Sequence, residues 1–215
     1  VYGTRSALAV DGGPADDILA FCAEHGLGLR YVANTHSHGD HTPGNHRLLA
    51  GSEAVFLDRA ALLEQGLIEI DGEPVKIIAT PGHSLDSVCF YAGVFLLAGD
   101  TLFNGTVGNC FSGDMTAFFN SIKTLLALPG DTVVYAGHDY VRDSMRTACS
   151  IESDNPDIDD FMRRYDSSHV RSTLAEELRV NPYVRFNDKA LIAILKNRNL
   201  PVETELQRWN SVMSL

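Results

Sequence analysis

The sequence predicts an α/β fold with a helical C-terminal appendage. Short apolar runs alternate with amphipathic stretches of helical period through the first two thirds of the chain. After about Arg146 the β-branched pattern gives way to helical segments. The 215 residues, 45% hydrophobic and 21% charged, suffice for one sizeable core with a small addition.

The elements follow in order. Ala7 to Val10 is a strand ending in Asp11-Gly12-Gly13. Pro14 suits the first turn of a helix and Gly26 its stop. Arg30 to Asn34 is a strand that feeds the loop Thr35-His36-Ser37-His38, and Pro43-Gly44 opens a helix closing at Gly51. Ala54 to Leu57 and Val75 to Ala79 are strand-like, with a short helix capped by Asp58 between them. Ser87 to Tyr91 and Val94 to Ala98 form a hairpin turning at Ala92-Gly93. Asp114 caps a helix from Met115 to Leu128, whose Phe118, Ile122, Leu125 and Leu126 share one face. Thr132 to Ala136 is the last strand and delivers His138 to a loop. In the tail, helices are expected over Thr173 to Leu178, from an Asn187 cap to about Asn197, and from Glu203 to Met213, with Pro201 as a breaker. A soft boundary falls near residue 150, and no repeat or low-complexity segment is present.

The net charge of −11, with 17 Lys and Arg and no basic stripe, argues against a nucleic-acid partner. The apolar runs are too short to span a bilayer, and no signal-peptide pattern is visible. Cys22, Cys89, Cys110 and Cys149 contain no C-x-x-C pair, so free thiols and a cytoplasmic location are expected, as a monomer or small homo-oligomer.

Chemistry concentrates at His36-Ser37-His38-Gly39-Asp40-His41, where three imidazoles and a carboxylate share six consecutive positions without core periodicity. Neutral imidazole and carboxylate are ligands of zinc and similar divalent ions. Alternate residues of an extended stretch point the same way, so His36 and His38 can grip one ion, and Asp40 and His41, past Gly39, a second. Three single residues then follow glycines after strands: His83, Asp100 and His138. Strand ends at one sheet edge are where sites assemble. The ligand sets become His36, His38 and His83 for one ion and Asp40, His41 and His138 for the other, with Asp100 bridging both. His25, His46 and His169 read as ordinary surface residues. Cys110 lacks an adjacent base and reads as packing or pocket lining.

These residues resemble the metallo-β-lactamase superfamily, whose H-x-H-x-D-H signature matches His36 to His41. They are most similar to its glyoxalase II branch, the hydroxyacylglutathione hydrolases. Thr35 to Asn45, Thr80-Pro81-Gly82-His83-Ser84, Gly99-Asp100-Thr101-Leu102-Phe103 and Ala136-Gly137-His138-Asp139-Tyr140 resemble its successive motifs. Ser172 to Glu177 with Asn181-Pro182-Tyr183 resembles its helical C-terminal region.

The resemblance implies an αββα sandwich with the site at one edge: a catalytic domain over residues 1–150 and a helical substrate-binding region over 151–215. Since such sandwiches carry strands before the Asp-x-Gly turn, here at Asp11 to Gly13, it also implies strands preceding Val1. The reaction implied is hydrolysis of a small-molecule thioester, such as S-D-lactoylglutathione, by a hydroxide held between two divalent ions, with Asp40 and Asp100 as catalytic carboxylates. Zinc is the expected metal, with iron or manganese as alternatives.

In glutathione-specific members, a Lys and a Tyr after the bridging Asp hold the glutathione. The corresponding positions here are Asn109 and Phe111. Tyr140 matches a third contact, and Arg208 lies near the branch's C-terminal basic pair, whose Lys has no counterpart. Other readings on this fold are a single-iron persulfide dioxygenase, a lactonase or lactamase, a nuclease, and a non-catalytic scaffold. The presence of all seven ligands argues for a two-metal hydrolase, the tail argues against the lactonase and lactamase branches, and the acidic charge argues against a nuclease.

Overall fold

A computed structural model describes residues 1–215. From the N-terminus run β1 (Ser6–Val10), α1 (Ala15–Glu24), β2 (Gly28–Ala33), α2 (Asn45–Ala50), β3 (Val55–Leu57), α3 (Arg59–Gln65), β4 (Leu67–Ile70) and β5 (Glu73–Ala79). Then follow β6 (Val88–Ala92), β7 (Phe95–Gly99), β8 (Leu102–Phe103), β9 (Thr106–Val107), α4 (Met115–Leu126), β10 (Val133–Ala136) and α5 (Val141–Ile151). The tail adds α6 (Pro156–Arg164), β11 (Ser172–Thr173), α7 (Leu174–Val180), α8 (Lys189–Asn197) and α9 (Glu205–Met213).

The strands make two main sheets, one of three strands in the order β1-β2-β3 and one of six in the order β11-β10-β7-β6-β5-β4. Residues on successive positions of a strand face opposite sides, and the core divides accordingly. Leu8, Ile77, Phe90 and Val88 meet between the two sheets. Ala7, Ala9 and Val32 face the other way, against Cys22 of α1 and Leu48 of α2. Ile78, Cys89, Leu96 and Ala98 face outward from the six-stranded sheet against Phe118, Ile122 and Leu125 of α4. The result is the expected αββα sandwich.

The caps foreseen at Asp58 and Asp114 form: each side chain accepts from a backbone N–H three residues on. The Asn187 cap does not form. Asp188 caps α8 instead, because the Asn187 amide donates to Glu205 Oε1 while its oxygen accepts from Arg208. The sequence pattern also gives no sign of β4, β8, β9, α5, α6 and β11.

Beyond residue 150 the tail folds onto the same body. β11 pairs antiparallel with β10, Ser172 opposite Val134 and Thr173 opposite Val133. Trp209 of α9 is fully buried, its ring 5.5 Å from that of Phe118 and 5.7 Å from that of Phe119.

Sheet direction sets the site. β5 and β6 are antiparallel, β6 and β7 are antiparallel, and β7 and β10 are parallel. The C-terminal ends of β5, β7 and β10 therefore share one edge, and these ends lead to His83, Asp100 and His138.

Candidate metal centre and active site

The loop after β2 brings His36, His38, Asp40 and His41 to that same edge. His36 Nε2 lies 2.9 Å from His38 Nδ1, and His83 Nε2 lies 3.1 Å from the same atom. Three ring nitrogens thus converge on one point. Beside them, Asp100 Oδ1 stands 3.3 Å from His41 Nε2, and Asp100 Oδ2 stands 3.6 Å from His83 Nε2 and 3.5 Å from His138 Nε2. Asp40 Oδ2 is 3.1 Å from His138 Nε2 and 3.8 Å from His41 Nε2. The ligand-type atoms of His36, His38 and His83 lie within 4.8 Å of one another, as do those of Asp40, His41 and His138, and those of His36, His41 and Asp100. Asp100 sits between the two outer groups.

The arrangement fits divalent cations on its own evidence. His41 Nε2 and Asp100 Oδ1 are buried and make no hydrogen bond, although they face each other. A buried polar atom without a partner is costly, and a cation between the two would satisfy both. Imidazole and carboxylate are also the donor types such ions take.

Protonation follows from burial and neighbours. Burial, followed by the nearby His41, pushes His36 down to about 4, so its ring is neutral and its nitrogen free at physiological pH. Burial likewise lowers His83. Burial also opposes a charge on His41, but the Asp100 and Asp11 carboxylates on either side prevail and raise it to about 10. Asp100 is held below the usual carboxylate range, because His41 outweighs the cost of its burial.

Supporting contacts fix the rings. Asp11, at the end of β1 with φ 51°, places Oδ2 at 2.9 Å from His41 Nδ1. It also accepts from the Thr35 backbone N–H and hydroxyl. Thr35 Oγ1 lies 3.1 Å from His36 Nδ1, and His83 Nδ1 lies 3.0 Å from the Asn109 carbonyl. In each case the outer ring nitrogen is engaged, which leaves Nε2 for the site. Two glycines allow this close approach. A Cβ at Gly137 would overlap Asp100 Oδ1 and His41 Cε1, and one at Gly108 would overlap the Asp100 carbonyl.

A cleft of about 450 Å³ opens over the histidines, bounded by Phe103, Asn109, Phe111 and Tyr140 among others. Of the substrate-contact residues expected from sequence, Asn109, Phe111 and Tyr140 line it, but Arg208 does not. The Arg208 guanidinium, on α9, donates to the Phe186 and Val202 carbonyls and to Asn187 Oδ1. Those bonds tie α9 to the segment before α8 and to the loop after it rather than serving the cleft. The sequence reading missed Asp11, which it took for a turn. Yet Asp11 follows a strand, as Asp100 and His138 do, and that was the available signal. His25, His46 and His169 are exposed and stand apart from these groups.

Comparison with known proteins places this geometry. A model of the metallo-beta-lactamase superfamily matches residues 53–138, and one of the hydroxyacylglutathione hydrolase C-terminus matches residues 139–212. The crystal structure of ETHE1 from Myxococcus xanthus superposes with a TM-score of 0.63 at 24% identity, over 98% of this chain and 92% of that one. TTHA1623 in a di-iron-bound form superposes with a TM-score of 0.57 at 25% identity, over 81% and 87%. A hydroxyacylglutathione hydrolase of Synechococcus is 33% identical, over 93% of this chain and 87% of its own length. The two family models meet between His138 and Asp139, and that relative spans both, so the chain belongs to the hydroxyacylglutathione hydrolase family of the metallo-β-lactamase superfamily.

Proposed function

We propose that the protein is a two-metal thioester hydrolase acting on a hydroxyacyl thioester, with S-D-lactoylglutathione as the reference substrate. The observation that carries this reading is the shared Asp100, whose two oxygens face the histidines of both candidate groups. His36, His38 and His83 would hold one ion and Asp40, His41 and His138 the other, with Asp100 between them. Bound there, divalent ions supply Lewis acidity that brings water near neutral deprotonation and polarises an acyl carbonyl.

The chain's own groups do the rest. Asp40 has a side chain 59% exposed and offers Oδ2 toward the cleft. It would accept a hydrogen bond from the attacking water and so orient it. Asp11 and the Asn109 carbonyl hold the His41 and His83 rings in place. Tyr140 and Phe111 flank the space the substrate enters. A departing thiolate, the conjugate base of a thiol of pKa about 8.5, needs no strong general acid, and none lines the cleft.

Zinc is the ion we propose. The di-iron form of the similar TTHA1623 makes iron the second reading, and elemental analysis of protein from metal-replete cells decides between them. We place the enzyme in the cytoplasm, as a monomer or small homo-oligomer. In support, all four cysteines are free, two of them buried, and no helix is long and apolar enough to cross a membrane.

The test is turnover of S-D-lactoylglutathione by metal-quantified protein beside its His83→Ala variant. About two metals per chain with turnover that the variant abolishes is the expected result. Two metals without turnover of any thioester would refute it.

A further inference from the structure

Of the 15 residues lining the cleft none is Lys or Arg, and its charged side chains other than histidine are Asp40, Asp100 and Asp143. Neither arginine of α5 lines the cleft, although Arg146 stands next to it on a lining carboxylate. Arg146 pairs with Asp143, and Arg142 stacks over the Tyr165 ring at 5.4 Å. A carboxylate on the non-reacting part of a substrate would find no cation among the lining residues, and Arg146 at the rim is already paired with Asp143.

The cleft offers aromatic surface instead. Phe111 is 67% exposed, its ring 5.2 Å from that of His83 and 5.9 Å from that of His38. Tyr140 is 46% exposed, its ring 5.0 Å from buried Phe103 and 5.5 Å from His138. One ring therefore stands beside each half of the histidine cluster. A lone exposed aromatic needs no explanation, but two at the mouth of one cleft form the surface that a bound molecule must touch. Aromatic faces favour CH₂ stems and sulfur, whatever the charge of the remainder.

We propose that this site selects its thioester by apolar and aromatic contact with Phe111 and Tyr140, and that the thiol carrier need bear no charge. Thioesters of small uncharged thiols are then accepted as readily as those of glutathione. The proposal rests on the thioester reading above and adds the class of carrier to it.

The experiment compares kcat/KM for S-D-lactoylglutathione and for the lactoyl thioester of N-acetylcysteamine, on the metal-loaded enzyme at low and high salt. The expected values lie within about tenfold of each other, and their ratio does not move with salt. Phe111→Ala is expected to raise KM for both by about tenfold with metal content unchanged, and Phe111→Leu to recover part of the loss. A preference for the glutathione thioester beyond about tenfold that shrinks with salt would overturn the proposal by revealing a cationic contact. An unchanged KM in Phe111→Ala would overturn it equally. If metal-loaded protein hydrolyses neither compound, the thioester reading itself falls and the proposal falls with it.

Discussion

Asp11 Oδ2 lies 2.9 Å from His41 Nδ1, joining the end of β1 to the candidate metal-ligand loop thirty residues later. The same carboxylate accepts from Thr35, whose hydroxyl meets His36 Nδ1. One side chain therefore orients a ring in each of two candidate ligand groups. Asp11→Ala is expected to lower metal affinity by about 10- to 100-fold, with the group containing His41 the more affected. Titration of the metal-stripped protein with zinc, followed by calorimetry, reads this directly. Unaltered affinity at both sites would show that Asp11 serves only the turn.

Gly137 is the second point of leverage. A Cβ there overlaps both Asp100 and His41, so Gly137→Ala must push the shared carboxylate aside. Activity should fall by at least about 100-fold, as happens when reacting groups are misplaced by an ångström or so. The far-ultraviolet circular dichroism should be unchanged, because the glycine is solvent-exposed and outside β10.

Removing metal should cost stability. Ions that bind the folded chain alone stabilise it by mass action, by about 3 kcal/mol at a hundredfold excess over Kd. Chelation is therefore expected to lower the thermal midpoint, and re-addition of zinc to restore it. In His83→Ala the restoration should shrink without vanishing, since Asp40, His41 and His138 remain. A midpoint that ignores chelation in both proteins would count against metal binding.

Glu177 predicts a pH effect away from the site. Its carboxylate is fully buried in α7, with the Gly105 N–H, Ser172 hydroxyl and Asn181 amide all donating to it. Burial outweighs these bonds and raises it from 4.5 to about 7. Below pH 4.5 the group is neutral in both folded and unfolded chains and costs nothing. As pH rises from 4.5 to 7 the unfolded chain ionises first, and the folded state loses about 3 kcal/mol in relative stability. Glu177→Gln cannot ionise, so the stability difference between variant and wild type should shift by that amount in the variant's favour across this window. Urea unfolding at fixed metal concentration measures it. A difference that is flat with pH would show that the donors hold Glu177 ionised at no cost.

Much of the molecule was legible because its signals are local. Four ligand-type residues in one loop and three more behind strand-ending glycines needed no tertiary information. The sandwich layers came from the family resemblance, because Ala7-Leu8-Ala9 is apolar on both faces and shows no alternation to read. What escaped depended on distant partners. β8, β9 and β11 are two residues each, too short for any period to show, and β11 exists only because β10 offers it an edge. Asn187 and Asp188 are equivalent caps on paper, and only Glu205 and Arg208, folded back from α9, decide between them. Arg208 resembled a substrate contact in sequence, but three-dimensional placement assigns it to the Phe186 and Val202 carbonyls instead.

The pairing of β11 with β10 also sets an order of assembly during translation. The strand that leads to His138 has β7 on one side and β11 on the other. As the chain leaves the ribosome N-terminus first, everything through Asp100 can pack early, but the outer edge of β10 stays bare until Ser172 and Thr173 emerge, and α4 waits longer still for Trp209. His138 is thus the last of the candidate ligands to be held firmly. A message cut short between these points yields a chain with a three-histidine site, an unfinished partner and an open strand edge, the kind of surface on which nascent chains aggregate.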